Sequence, residues 1–370
     1  MIYLDHGATS FPKPEAVTEA VARAMVECSN PGRGSHEASN KAAERVFQCR
    51  EAAAELFHCK PEQVVFTQNC THGLNMAIRT LVRPGDRVVI TGFEHNAVTR
   101  PLYGIGARTV VSGRKLYDWE DTLRAFRRAL DRGARAAVFT HVSNVFGYIL
   151  PVEQMAAECR KRRIPFIIDA AQSAGAIPID AEKLGADFIA MPGHKGLQGP
   201  MGTGMLICRR IPRPLIMGGT GSESEHQGMP DFLPDRGEAG TVNVPGIAGL
   251  EVGIRLIQAK GPEKIGAHES AMTSSAAGML RSLGMEVFAG AHQLGTLSFR
   301  PGCDCQEASD ALAEGGFALR AGLHCAPLAH KSAGTLETGT VRLSFGPDST
   351  EEDLVQFRRA VQTTLPPFRG

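Results

Sequence analysis

The sequence predicts an α/β fold, with a large domain built on a mostly parallel seven-stranded sheet and a smaller α+β C-terminal domain. Seven short apolar runs alternate with helical stretches between residues 64 and 208, which is typical of a parallel sheet covered by helices on both faces. Beyond residue 260, helices and short strands mix without that rhythm. The length of 370 residues also exceeds one typical hydrophobic core, so two domains are expected.

The elements of the large domain follow in order from the N-terminus. A short apolar entry at residues 1–9 leads to predicted helices over residues 15–26 and 38–57. The loop between these helices contains Arg33, flanked by glycines, which either reaches into a cleft or is an ordinary solvated arginine. The predicted strands of the large sheet are residues 64–67, 88–91, 108–111, 136–140, 166–169, 188–190 and 204–208.

A predicted helix over residues 247–259 ends the large domain, and Lys260-Gly261-Pro262 has the composition of a hinge. We therefore assign residues 15–260 to the large domain and residues 1–14 with 261–370 to the small domain. The small domain has predicted helices over residues 265–283, 308–314 and 351–363 and predicted strands at residues 287–288 and 296–299.

Composition narrows the class of function. Forty Lys and Arg residues against 39 Asp and Glu leave a net charge near zero, which gives no electrostatic reason to expect a nucleic acid or membrane partner. The nine cysteines are scattered without the paired spacing of a zinc site, so no metal is expected. With no signal peptide and no long apolar run, we expect a cytoplasmic protein with small-molecule or protein partners.

Lys195 stands in an unusual place, in the stretch Met191-Pro192-Gly193-His194-Lys195-Gly196 where a strand ends in a glycine-rich loop. A lysine amine is nucleophilic toward aldehydes when its surroundings favour the neutral form, and its commonest such use is a Schiff base with pyridoxal phosphate. That cofactor needs an acid beside its pyridine nitrogen, and Asp169 follows the apolar run 165–168. The alternative is that Lys195 is a loop lysine and Asp169 a helix cap.

Polar side chains follow five of the predicted strands, and ligands of parallel sheets collect at that edge. The first such end contains Cys70 and Thr71 at the start of a predicted helix over residues 74–79, whose N–H groups suit a phosphate. His95 follows the second end and is able to lie flat on a planar cofactor. The other ends carry Asn144, then Asp169 with Gln172, then His194 with Lys195.

Two segments of the small domain carry further candidate chemistry. Cys325 lies in a predicted loop next to His324 and five residues after Arg320, and a nearby cation favours the nucleophilic thiolate. An idle or buried cysteine is the alternative. Arg342 interrupts an apolar strand pattern, and a buried arginine usually pairs with a carboxylate of the protein or of a substrate.

With these residues together, the chain resembles the class V aminotransferase superfamily, which has fold type I of the pyridoxal-phosphate enzymes, and within it the cysteine desulfurases. The similarity extends from Tyr3-Leu4-Asp5 to the last helix. Lys195 follows Asp169 by 26 residues, which matches the separation in that family. The loop Gly322-Leu323-His324-Cys325-Ala326-Pro327 resembles the desulfurase branch that includes selenocysteine lyases.

The resemblance implies a role for each matching position. Lys195 forms the Schiff base and moves protons at the substrate α-carbon, and Cys325 attacks the sulfur of the bound cysteine, which leaves alanine and an enzyme persulfide. The cofactor-binding residues implied are Lys195, Asp169 at the ring nitrogen, Gln172 at the phenolic oxygen, His95 stacked on the ring, Cys70, Thr71 and His194 near the phosphate, Asn144, and Thr220. The substrate-binding residues implied are Arg342 at the carboxylate, Arg320 in support, Asn144 and Gly7.

The sequence departs from the family pattern at several positions. His6 and Gly7 stand where relatives usually have Asn and Ala, and His72 replaces a common Glu. Pro192 stands where many relatives have a phosphate-binding Ser, so we expect Thr220 in the glycine-rich loop to compensate, acting across a dimer interface.

The first hypothesis is therefore a homodimeric L-cysteine desulfurase that passes persulfide sulfur to an acceptor. The second is another pyridoxal-phosphate reaction on the same scaffold, namely a selenocysteine lyase, a C–S lyase or an aminotransferase. A third is a non-catalytic sulfur-relay protein with a vestigial site, against which Lys195 and Asp169 argue together.

Overall fold

The computed structural model describes residues 1–32 and 34–368, so the prediction for Arg33 lies outside the described residues. The strands are β1 (Ile2–Tyr3), β2 (Val64–Thr67), β3 (Arg87–Thr91), β4 (Arg108–Ser112), β5 (Ala136–Thr140), β6 (Phe166–Asp169), β7 (Phe188–Pro192), β8 (Gly204–Cys208), β9 (Glu286–Phe288), β10 (Thr296–Arg300), β11 (Phe317–Ala318), β12 (Arg320–Gly322) and β13 (Thr340–Ser344). The helices are α1 (Glu15–Glu27), α2 (Glu37–Phe57), α3 (Cys70–Leu81), α4 (Asn96–Ile105), α5 (Trp119–Asp131), α6 (Val152–Lys161), α7 (Ala181–Leu184), α8 (Val244–Lys260), α9 (Pro262–Ser282), α10 (Cys305–Glu314), α11 (Pro327–Ala333) and α12 (Glu351–Thr364).

The large sheet confirms the predicted fold class. Its seven strands have the order β2-β8-β7-β6-β5-β3-β4. All neighbouring pairs from β7 to β4 are parallel, whereas β8 is antiparallel to both β7 and β2. The carboxyl ends of β3, β5, β6 and β7 therefore lie at one edge of the sheet, where the sequence predicts a shared site.

The side chains of this sheet alternate between two separate cores, one on each face, and helices cover both faces. On β6, Phe166 and Ile168 pack into one cluster, and Ile167 between them packs into the other. Burial on both faces explains why these strands are apolar at nearly every position.

The second sheet is antiparallel, with the order β12-β13-β10-β9, and it supports a separate core. The N-terminal segment joins this region, since β1 pairs with β11 and Leu4 belongs to the same core. Gly261, with φ of +85°, is the single residue between α8 and α9 at the predicted hinge. The assignment of residues 1–14 and 261–370 to one small domain stays a prediction.

Two short stretches differ from the predicted elements in ways that matter for the site. The predicted helix over residues 74–79 begins four residues earlier, at Cys70, because Asn69 caps it by accepting a hydrogen bond from the His72 N–H at 2.9 Å. Thr71 therefore lies inside the first turn of α3. The short helix α11 was not predicted from the sequence, and its Ala329 packs into the core of the large sheet.

A buried ion pair holds the segment before α8 to the edge strand β2. Arg50 contacts Glu238 at 2.5 Å with both side chains less than one-tenth exposed, and its guanidinium lies 4.5 Å from the Phe66 ring centroid. Glu238 also accepts a hydrogen bond from the Phe66 N–H at 2.6 Å. Removal of the carboxylate leaves a buried cation and a buried N–H without an acceptor.

We expect Glu238→Ala to lower the free energy of unfolding by about 3–5 kcal/mol, because one partner of a buried pair is left uncompensated. Denaturant titration monitored by circular dichroism measures the change. The matched control is Glu37→Ala, which removes an exposed pair with Lys41 and should leave stability unchanged. Equal effects of the two substitutions would contradict this assignment.

Candidate active site

Lys195 lies in the loop after β7, and the N-terminal segment holds the peptide that precedes it. The carbonyl oxygen of His194 accepts hydrogen bonds from the Ser10 N–H at 3.0 Å, from Thr9 Oγ1 at 2.9 Å and from Lys13 Nζ at 2.8 Å. Because this carbonyl belongs to the His194–Lys195 peptide, these bonds fix the backbone of the candidate nucleophile. Lys13 was not predicted from the sequence as a site residue.

The surroundings of Lys195 favour its neutral amine. Burial, followed by the charge of Arg342, lowers the pKa of Lys195 to about 8. Cys70 and Asp169 act in the opposite direction. The balance makes the amine half neutral near pH 8, so a far larger fraction is neutral near physiological pH than for an ordinary lysine, which favours Schiff-base chemistry.

Asp169 ends β6 deep in the site, with 2% of its surface exposed. Its Oδ1 accepts hydrogen bonds from the Ala171 N–H at 2.9 Å and from the Cys70 thiol at 3.5 Å. Its Oδ2 has no hydrogen-bond partner within residues 1–32 and 34–368. Cys70 is buried and its pKa is raised well above the usual range, so it contacts Asp169 as a neutral thiol.

His95 caps α4, and its Nδ1 accepts a hydrogen bond from the Ala97 N–H at 3.0 Å. Burial lowers the pKa of His95, so the ring is neutral and its proton lies on Nε2. The preceding Glu94, which the sequence analysis did not single out, accepts hydrogen bonds from Thr91 Oγ1 at 2.5 Å and from the Thr140 N–H at 3.1 Å. It therefore joins the ends of β3 and β5 beside His95, and burial raises its pKa to about 8.

Gln172 and Gly7 lie together in the site. Gln172 Nε2 donates to the Gly7 carbonyl at 3.0 Å, and the Gly7 N–H donates to Ser344 Oγ at 2.7 Å. A Cβ on Gly7 would lie 3.2 Å from Ser344 Oγ and 3.4 Å from the Arg342 guanidinium carbon. Gly7 therefore allows a close approach of the N-terminal segment to the candidate substrate arginine.

Arg342 and Arg320 both pair with Asp5, a contact that the sequence analysis did not predict. Arg342 contacts Asp5 Oδ1 at 2.6 Å, and Arg320 contacts Oδ2 at 2.7 Å. Arg342 also donates to the carbonyl of Asn144 at 3.0 Å. Its Nε is buried with no hydrogen-bond partner in the described chain, so one donor stays available for a substrate carboxylate.

The loop with Cys325 reaches the large sheet beside His95. The Cys325 carbonyl accepts a hydrogen bond from the Asn96 N–H at 2.7 Å, and the His324 carbonyl accepts one from Asn144 Nδ2 at the same distance. All nine cysteines lie in the described residues and are free, and Cys325 is the exposed one among them. Both contacts place an accessible thiol loop at the edge of the Lys195 site.

The first turn of α3 offers two free donors. The N–H groups of Cys70 and Thr71 have no acceptor among the described residues, since the Asn69 cap engages His72 instead. His194 lies in the loop before Lys195, and burial lowers its pKa to about 4, so its ring is neutral. A helix N-terminus with unpaired N–H groups favours an anion.

Thr220 lies apart from these residues in its own chain. It lines a cavity of about 600 Å³ together with Arg50 and Glu238, whereas Lys195 lines a different cavity of about 40 Å³. Thr220 therefore lies outside the cavity that contains Lys195.

The cavity at Lys195 also contains His6 and Glu269, and the sequence analysis did not connect Glu269 with the site. Burial raises the pKa of Glu269 to about 8 and lowers that of His6 to about 4. Both side chains are therefore largely neutral at pH 7, and His6 Nδ1 has no hydrogen-bond partner in the described chain. Glu269 gives no sequence signal, because it lies in an ordinary helical pattern far from the strand ends.

Residues 2–357 match the family of class V aminotransferases. The chain belongs to this family. It is 32% identical to a probable cysteine desulfurase of Methanothermobacter thermautotrophicus over 95% of this chain and 92% of that protein. It is 31% identical to a probable cysteine desulfurase of Pyrococcus abyssi over 100% of this chain and 96% of that protein.

Solved structures agree with this membership. The apo structure of a cysteine desulfurase from Thermococcus onnurineus has a TM-score of 0.88 and 29% identity, over 98% of this chain and 94% of that one. The cysteine desulfurase CsdA from Escherichia coli has a TM-score of 0.86 and 27% identity, with the same two coverages. The predicted family and the fold of the pyridoxal-phosphate enzymes are thus confirmed.

Family membership implies pyridoxal phosphate, and the residues present fit it. The free Oδ2 of Asp169 suits a protonated pyridine nitrogen, and the unpaired N–H groups of Cys70 and Thr71 suit a phosphate. The amine of Lys195, with its lowered pKa, suits the aldehyde carbon. Among the described residues, no group of three or more His, Cys, Asp or Glu side chains is arranged to hold a metal ion.

We expect Lys195 in cofactor-free protein to react with aldehydes at lower pH than an ordinary lysine. Because its pKa is about 8, the neutral fraction and the trapping rate should rise as the pH rises through about 8. The measurement is trapping by pyridoxal and cyanoborohydride, mapped by peptide mass spectrometry. The control is the exposed Lys115, whose ion pair with Asp118 at 2.8 Å raises its pKa. Parallel pH profiles at the two lysines would contradict the assignment.

Proposed function

We propose that the protein is a pyridoxal-phosphate-dependent cysteine desulfurase, which converts L-cysteine to L-alanine and leaves a persulfide on Cys325 for an acceptor. The observation that carries the proposal is the placement of Cys325. It is the exposed cysteine of the nine, and its backbone carbonyl is bonded to the Asn96 N–H directly beside His95.

Each group of the site has a task in this reaction. Bound at Lys195, the cofactor supplies an electron sink that weakens bonds at the substrate α-carbon. Arg342 Nε receives the substrate carboxylate, while Asp5 and the Asn144 carbonyl hold the guanidinium in place. Lys195, half neutral near pH 8, takes and returns the proton at the α-carbon.

The sulfur transfer balances without a further reactant. The Cys325 thiolate attacks the sulfur of substrate cysteine, a new S–S bond forms and the substrate C–S bond breaks. The carbon skeleton of the substrate, left without its sulfur, takes up a proton and becomes alanine. Cys325 becomes a persulfide. The acceptor, a thiol reductant or a second protein, then removes the terminal sulfur.

We expect Cys325→Ala to lose sulfide formation from cysteine by on the order of 100-fold or more, because the persulfide has no other acceptor atom. Its visible cofactor absorbance should persist, since Lys195 and Asp169 are untouched. Sulfide is measured with a reductant present, and alanine is measured in the same sample. The control is Cys303→Ala, which removes a partly buried cysteine packed against the core of the second sheet.

The same assay, run with different substrates and with different products measured, distinguishes the related reactions. Equal amounts of alanine and sulfide from cysteine support the desulfurase. Efficient turnover of selenocysteine by Cys325→Ala would favour the selenocysteine lyase. Pyruvate formation from cysteine would favour a C–S lyase, and keto-acid-dependent amino transfer would favour an aminotransferase.

We also propose that the protein acts as a cytoplasmic homodimer in which Thr220 reaches the cofactor site of the partner subunit. Thr220 occupies a cavity separate from Lys195 in its own chain, and the nearby Ile216 and Met217 expose 53% and 78% of their surfaces. Apolar side chains exposed in this way are typical of an interface. No helix in the described part of the chain combines the length and apolarity needed to cross a bilayer.

Subunit mixing tests the role of Thr220. Lys195→Ala and Thr220→Val proteins should each be impaired alone, the second through weaker cofactor binding. If Thr220 acts across the dimer, a mixed dimer contains one fully intact site, and mixing should restore activity. Mixing without gain, with mixed dimers verified by mass, would show that Thr220 does not act in the partner's site.

A further inference from the structure

Behind the Cys325 loop, four residues form a continuous line of polar contacts. Thr335 Oγ1 lies 2.8 Å from His330 Nδ1, and His330 Nε2 lies 3.4 Å from His324 Nδ1. His324 Nε2 then lies 3.4 Å from the carbonyl oxygen of Arg320. His330 is fully buried and its ring lies 5.8 Å from that of Phe146. None of these contacts has a role in the chemistry described so far.

The direction of the hydrogen bonds follows from the acceptor at the end of the line. The Arg320 carbonyl only accepts, so His324 Nε2 carries the proton and His324 Nδ1 is an acceptor. His330 Nε2 therefore donates to His324, and His330 Nδ1 accepts from the Thr335 hydroxyl. This assignment requires two neutral rings, and burial lowers the pKa of His330 to about 4 and that of His324 well below its usual value.

Both nitrogens of His324 are thus engaged, so neither is free to take a proton from the neighbouring thiol. The backbone explains what the contacts do instead. His324 and Cys325 have φ values of +50° and +54°, a left-handed conformation that side-chain-bearing residues rarely adopt. Two consecutive residues persist in this conformation only when surrounding contacts hold them there.

Further hydrogen bonds anchor the same two residues from the opposite side. The His324 carbonyl accepts from Asn144 Nδ2, and the Cys325 carbonyl accepts from the Asn96 N–H, each at 2.7 Å. On the other side, the imidazole of His324 is held at its two nitrogens by the Arg320 carbonyl and by His330.

We propose that His330 is a positioning residue that, through His324, fixes the left-handed backbone of Cys325 and so directs its thiol toward the Lys195 site. This inference rests on the proposed function of Cys325 as the sulfur-accepting group. It makes His330 and Thr335 determinants of sulfur transfer although neither contacts a reacting atom.

The test compares His330→Phe, which removes both hydrogen bonds, with His330→Gln, whose amide restores a donor toward His324. His330→Phe should lower the kcat for sulfide formation by on the order of 10- to 100-fold, because a misplaced nucleophile loses its orientation. The KM for cysteine and the visible cofactor absorbance should not change. His330→Gln should recover part of the kcat, and Thr335→Val should show a smaller loss than His330→Phe.

Two readouts separate positioning from other roles. The rate at which iodoacetamide alkylates Cys325 should stay equal or increase in His330→Phe. The pH midpoint of alkylation should not change, because the substitution alters the position of the thiol and not its chemistry. Hydrogen exchange of the Asn96 N–H, which bonds to the Cys325 carbonyl, should become faster in His330→Phe and slower again in His330→Gln. The control Ser332→Ala removes a different α11 hydrogen bond, to the Gly92 carbonyl at 2.8 Å, and should leave the Asn96 exchange rate unchanged.

Defined outcomes would overturn the inference. A parental kcat and parental exchange in folded His330→Phe would show that the histidine pair does not position Cys325. If the alkylation rate of Cys325 falls together with kcat, and the pH midpoint of alkylation shifts, the pair His324 and His330 would instead act as an acid–base group. If His330→Phe does not fold, Thr335→Val decides through the same measurements. Exchange and alkylation do not depend on desulfurase activity, so a failure of the proposed function at Cys325 is seen separately.

Discussion

The contact on which much of the site depends is the pairing of Asp5 with two arginines. Asp5 comes from the N-terminal segment, Arg342 from β13 and Arg320 from β12, and the two salt bridges are 2.6 and 2.7 Å long. Arg342 continues to the Asn144 carbonyl at the edge of the large sheet. One carboxylate therefore joins three separate stretches of chain around the position where a substrate carboxylate is expected. A buried arginine without such a partner would carry a large desolvation penalty.

The charge of the same arginine also lowers the pKa of Lys195. Burial and the charge of Arg342 favour a neutral Lys195, whereas Asp169 and Cys70 favour its charged form, and the pKa of about 8 is the result. Asp5 compensates the charge of Arg342 only in part, since each of its two oxygens faces a different arginine. Substrate binding and lysine activation are thus linked through one guanidinium, and their pH dependences should not be independent.

Much of the large domain was predictable from the sequence, and so was a large share of the site. Strands buried on both faces, such as Phe166–Asp169, are apolar up to their last residue and leave a clear pattern, and polar residues at their ends follow from the chain direction. The short elements were harder: α11 has seven residues, and its burial comes from contacts with the distant large-sheet core. Asp5, Glu94 and Glu269 were not predicted for the same reason, since each has a partner or a cavity formed by other parts of the fold. His330 lies close in sequence to its partners His324 and Thr335, but no local pattern marks that contact.

The sequence by itself determined the sheet, the order of the chemistry-bearing strand ends, and the pairing of Lys195 with Asp169, because these depend on local periodicity and on fixed strand directions. Only the tertiary structure decided which charges meet. It places Arg342 against Asp5, docks the Cys325 loop on Asn96, and aligns His330 behind His324. The physical reason is that the ion pair of Asp5, the docking of Cys325 and the pKa of Lys195 depend on neighbours such as Arg342 and Asn96 that lie more than 100 residues away in sequence, and no local pattern encodes those neighbours.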